Sequence, residues 1–196
     1  PPLECRRNQH KRILEVSKKT KAALWWNRLR SKKVTGPDTM SLSHNGRGAI
    51  RFLIVLPEHT TQSELAKRFI LSMRNALGPG GVNQIRILGP ANVGNLLNLE
   101  DFHDFILYTE ADLNHRGLPR KELNWACQRI VVDAVLDLNQ EFAPVSATIC
   151  SAVDAPLKVG FYSEEGEDYF NIMIRRHGTD LMESGFKEIF QILGMR

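Results

Sequence analysis

Beyond residue 48 the apolar positions fall into short unbroken runs separated by stretches of helical spacing, the alternation expected of an α/β domain. The first run, 49–56, is nearly continuous in aliphatic and β-branched residues, which suits a central strand buried on both faces. Thr61 stands three residues before Glu64, a capping-box spacing, and Leu65, Phe69, Met73, Ala76 and Leu77 follow with helical period. Gly78-Pro79-Gly80-Gly81 stops that helix. Further strands are predicted over 84–88, closed by Gly89-Pro90, and over 105–108, 133–138, 157–161 and 170–174. Helices are predicted over 119–129, opened by Pro119, and over 143–153 and 180–193. The reading is a single Rossmann-like, three-layer α/β domain with a mainly parallel sheet of five or six strands, preceded by a basic helical arm.

The arm has a different pattern. Positions 8–30 read as a helix whose apolar side, with Ile13, Leu14, Val16, Ala23, Leu24, Trp25, Trp26 and Leu29, is set among lysines and arginines. Gly36-Pro37-Asp38 and Asn45-Gly46 then mark turns in a segment of little periodicity. The expected division is therefore an arm and linker over 1–48 and the α/β domain over 49–196.

Charge sharpens this division. The formal net charge is +4, but residues 1–48 hold 12 of the 26 Lys and Arg against only Glu4, Glu15 and Asp38, so the arm carries +9 and the rest −5. Attraction to an anionic membrane surface or to nucleic acid is thus assigned to the arm. The cluster Lys18, Lys19, Lys21, Trp25, Trp26, Arg28 and Arg30 is the candidate attachment surface, because aromatics flanked by cations suit a water–headgroup boundary. A protein partner is the other expectation, and for nucleic acid the argument is charge alone. Cys5, Cys127 and Cys150 are odd in number and widely spaced, which favours a reducing compartment over a disulfide framework. No apolar run approaches the ~18 residues of a membrane span, so a cytoplasmic protein, with or without peripheral membrane attachment, is expected.

Chemistry in an open α/β sheet gathers beyond the carboxyl ends of its strands. The exit of the first strand offers Glu58, His59 and Gln62, and the exit of the fourth offers Asp137 and Asn139. These are the candidate ligand-binding residues. A general-base role for His59 competes with plain loop polarity, and an orienting role for Asp137 competes with capping of loop N–H groups. The stretch from Gly89 to Asn95 lacks a dinucleotide fingerprint and a P-loop Lys-Ser or Lys-Thr, and reads as a plain turn after a strand. His103 between Asp101 and Asp104 makes no metal site alone, and Cys150 reads as a small core residue. No cofactor, metal or catalytic residue is expected.

The segment from Asp133 to Ile174, with Asp133-Ala134-Val135-Leu136-Asp137-Leu138-Asn139, Leu157-Lys158-Val159-Gly160-Phe161 and Tyr169-Phe170-Asn171-Ile172-Met173-Ile174, together with Phe105 to Gly117, resembles a small α/β family of Bacteroidetes and Chlorobi with a basic N-terminal helix. That family implies no particular activity. The order Leu53-Ile54-Val55, crossover, Asp137-Leu138-Asn139, helix and Pro156 to Phe161 is also distantly similar to the N-terminal half of heptosyltransferase-like, two-domain glycosyltransferases. The resemblance implies a catalytic Asp in the loop after the first strand and a second domain for the nucleotide-sugar donor. The position seven residues past Val55 is Gln62, which cannot act as a carboxylate base, and 196 residues leave no space for a donor domain. The leading expectation is a binding or interaction domain shaped like half of a glycosyltransferase, without catalysis of its own. A small transferase acting on a sugar or nucleotide, with Glu58, His59 and Asp137 lining its pocket, is the alternative; association with nucleic acid or the ribosome through 6–33 is a third.

Overall fold

The computed structural model describes Leu24, Phe102 and residues 51–97, 104–175 and 182–193. Among these, six strands form one sheet: β1 (Phe52–Val55), β2 (Ile85–Pro90), β3 (Phe105–Tyr108), β4 (Ala134–Asp137), β5 (Leu157–Phe161) and β6 (Ile172–Ile174), in the order β3-β2-β1-β4-β5-β6. Every neighbouring pair is parallel. This is the α/β, Rossmann-like sheet expected from the sequence, and β1 lies inside it because all four of its side chains are shielded, two on each face.

The strand period of two sorts those side chains into two cores. Phe52 and Ile54 join Ile85, Ile87, Leu136 and Val159 beneath α1 (Ser63–Leu77) and α5 (Met182–Ile192). Leu53 and Val55 join Leu88 and Val135 on the opposite face, covered by α3 (Lys121–Gln128) and α4 (Pro144–Ala152). Burying each large side chain of this kind contributes about 1.5–3 kcal/mol. Leu24 is helical, buried, and belongs to the second core, among Leu123 and Cys127 of α3 and Val145 and Ile149 of α4. The remainder of the predicted helix over 8–30 and the linker after it lie outside the described residues.

Three local expectations are corrected. Thr61 forms no capping box: α1 begins at Ser63 after a 3-10 turn over Thr60–Gln62, and its N-cap Gln62 makes no capping bond. The box occurs instead at Thr109, whose N–H and Oγ–H donate to Asp112 Oδ2 at 2.8 and 2.9 Å. Gly89-Pro90 does not close β2 but extends it, pairing opposite Leu107 and Tyr108, and the short helix α2 (Ala91–Gly94) follows directly in place of a plain turn. The sixth strand begins only at Ile172, because Tyr169 and Phe170 turn inward and the Phe170 ring packs over Gly160. Gly78 does end α1, at a φ of 77° that favours glycine.

Candidate functional site

The chain runs outward from β1 through β2 to β3, then returns to β4 and continues on the other side. The loops leaving β1 and β4 therefore part in opposite directions, and a crevice opens at the carboxyl ends of these two strands. Val55 and Asp137, the last residues of the two strands, are in register.

Asn139 ties the exits together. Its Oδ1 accepts the Glu58 N–H at 2.8 Å, and its Nδ2 donates to Leu56 O at 3.3 Å and to Asp137 Oδ1 at 2.8 Å. Asp137 Oδ1 also accepts the Asn139 N–H at 3.0 Å. The Asp137 carboxylate is thus both a cap for its own loop and a buried charge. Burial pushes its pKa up to about 6, opposed by the hydrogen bonds from Asn139 and by the nearby Ser146 hydroxyl. Ser146 Oγ itself is fully buried and makes no hydrogen bond of ordinary geometry.

Glu58 stands at the mouth of the crevice. Burial raises its pKa first, and the charge on Asp137 adds to this; His59 and the Ser146 N–H at the start of α4 work in the opposite direction. Its Oε1 is buried and has no hydrogen-bond partner. Such an oxygen costs free energy until a donor reaches it.

Glu58 lines a cavity of about 410 Å³ with Pro90, Ala91 and Asn92 at the end of β2, Tyr108, Thr109 and Glu110 at the end of β3, Leu113, and Val145 in the first turn of α4. The volume suits a small ligand. Tyr108 is buried, and its hydroxyl is held protonated by burial and by the charges of Glu58 and Asp137, so it stays a donor at all ordinary pH. A larger hollow, about 440 Å³, lies along α3 and is lined by Lys121, Glu122, Asn124, Trp125 and Gln128. Its described lining residues all belong to that one helix. Among the described residues no cluster of His, Cys, Asp and Glu could hold a metal ion.

The structure brings Glu58, Asp137 and Asn139 together. His59 is close enough to ease the charge on Glu58 but is exposed and does not line the cavity. Gln62 is half-buried at the start of α1, with a buried Oε1 that lacks a partner, and is also absent from the lining. Tyr108, Asn92, Glu110 and Ser146 enter the site unannounced by the sequence, since only the strand order places the exits of β2 and β3 beside that of β1. The attachment candidates Lys18, Lys19, Lys21, Trp25, Trp26, Arg28 and Arg30 lie outside the described residues. Cys127 and Cys150 are free and buried, as befits core positions.

No protein-family model matches the chain. No curated protein matches it. Solved structures do. An E. coli heptosyltransferase with ADP is 18% identical, with 73% of this chain and 46% of that one covered at a TM-score of 0.52. The E. coli heptosyltransferase with ADP-2-deoxy-2-fluoro heptose is 16% identical over 74% and 49%, also at 0.52. A family 9 glycosyl transferase from Veillonella parvula is 12% identical over 82% and 44%, at 0.53. The chain spans about half the length of these proteins. At such identity the likeness is one of fold, and it agrees with the distant glycosyltransferase similarity seen in the sequence.

Proposed function

We propose that this chain is a glycosyltransferase-like binding domain that holds a small hydroxyl-rich ligand of the sugar class in the cavity beyond β1, β2 and β3. The observation that carries this reading is the Glu58 carboxyl, fixed at the strand-order reversal with one buried oxygen unsatisfied. Around it stand Tyr108 as a permanent donor and Asn92 as a side-chain donor and acceptor, the mixed polarity that a ring of hydroxyls needs. Binding without turnover is the form proposed. It is supported by Gln62, which stands where the glycosyltransferase resemblance calls for an Asp.

Ligand-observed NMR against a panel of monosaccharides and nucleotide sugars, repeated with Glu58→Gln, tests the reading. Saturation transfer to at least one sugar, weakened by the variant, is expected; a panel that shows none removes it.

A second reading, transfer of a glycosyl group, is favoured by the raised proton affinity of Glu58, since a desolvated carboxyl can take the proton of an attacking hydroxyl. Donor turnover that disappears in Glu58→Gln would promote it over binding alone.

A further inference from the structure

The charges around the cavity narrow the ligand further. Glu58 and Glu110 both line it, and among its described lining residues there is no Lys, Arg or His. Some of the nearest groups that could receive an anion are already engaged. At the N-terminus of α4, Pro144 has no N–H to give, the Ala147 N–H bonds to Ala143 O at 2.9 Å, and the Ser146 N–H favours the charge on Glu58. At the start of α2 the Val93 N–H is taken by Asn92 Oδ1 at 3.0 Å. On the β3 side, Thr109 donates both its protons to Asp112. A phosphate in this cavity would meet two carboxylates and no Lys, Arg or His among the described lining residues.

An ammonium group meets the opposite situation. It carries three donors and a positive charge, so it can satisfy the buried Glu58 Oε1 while Glu110 at the rim adds attraction and Tyr108 and Asn92 serve neighbouring hydroxyls. We infer that the cavity selects an amine-bearing ligand, an amino sugar within the sugar-class reading above on which this rests, and rejects phosphorylated ones. His59 lies outside the lining but adjacent to Glu58.

Calorimetric titration of the full chain at pH 7.5 with glucosamine, glucose, glucose 6-phosphate and the non-sugar amine spermidine tests the inference. Glucosamine is expected to bind at least tenfold more tightly than glucose, and glucose 6-phosphate more weakly than either. Glu58→Gln should abolish the amine preference. The exposed Glu110→Gln, which disturbs no buried contact, should reduce the preference severalfold and serves if the first variant fails to fold. Equal affinity for glucosamine and glucose, or tighter binding of the phosphate, overturns the amine inference and leaves the sugar reading standing. Binding of spermidine at Glu58 with no sugar bound upholds amine selection and removes the sugar reading. No binding by any of the four overturns both.

Discussion

Asn139 Oδ1 accepts the Glu58 N–H at 2.8 Å across 81 residues of sequence, so the residue that leaves β4 decides where the carboxyl that leaves β1 is held. The same amide donates to Leu56 O and Asp137 Oδ1, and three groups from two strand exits converge on one buried side chain.

Asn139→Ala therefore orphans the Glu58 N–H and Leu56 carbonyl together. The expected loss is about 1–3 kcal/mol in urea unfolding, since an unmade buried hydrogen bond costs its desolvation. Binding should fall more than stability does, because Glu58 loses its anchor. A variant as stable as the parent would show that water replaces the amide at no cost and that the two exits are not held by it.

Asp137 links stability to pH. Its folded pKa of about 6 lies above the ordinary 3.8, so the native state binds the proton more tightly than the unfolded chain does. The resulting stabilisation is complete below about pH 4, declines as pH rises through 6, and is absent above it. Glu58 is shifted in the same direction. Between pH 5 and pH 8 the parent should lose on the order of 1 kcal/mol through Asp137 that Asp137→Asn does not lose, and the Asn side chain keeps the acceptor that Asn139 needs. Urea midpoints at the two pH values measure it. Parallel changes in parent and variant would mean that Asp137 titrates as it does in water.

Much of this architecture is legible along the chain because parallel strands buried on both faces leave unbroken apolar runs, as in Phe52 to Val55 and Leu157 to Phe161. Glu58, Asp137 and Asn139 could be singled out because each immediately follows or ends such a run. Tyr108 ends one as well, but its relevance depends on β3 and β2 lying on the β1 side of the sheet, a nonlocal fact that no periodicity encodes. His59 is exposed and stands just before the 3-10 turn over Thr60–Gln62. Gly89-Pro90 misled for a physical reason. Glycine and proline usually end a strand, yet here the missing Cβ is what lets Leu56 lie against the backbone of β2.

That contact is open to test. A Cβ at Gly89 would run into the Leu56 side chain, and Leu56 is fully buried at the start of the loop that carries Glu58. Gly89→Ala should cost about 1–3 kcal/mol through overpacking and also weaken ligand binding by shifting that loop. Gly80→Ala is the control, since its nearest neighbour would be Gln84 Nε2 at 4.0 Å. Equal melting temperatures for the two variants would show that β1 and β2 can separate without penalty.

The last prediction concerns the arm. Leu24 is about 7% exposed and shares its core with Leu123, Cys127, Val145 and Ile149, beside α3 and α4. Leu24→Ala should then destabilise the protein by about 2–5 kcal/mol, the range for truncating a buried leucine. A loss below about 0.5 kcal/mol, typical of surface substitutions, would show that the arm contributes nothing to folding. The outcome also bears on the proposed membrane attachment. Residues 1–48 carry the excess of Lys and Arg that gives them a +9 charge, and binding to anionic vesicles through those groups should weaken with added salt. Co-sedimentation of the parent at low and high salt measures this. Binding that is indifferent to salt would take the basic cluster out of the attachment and leave the arm with a packing role alone.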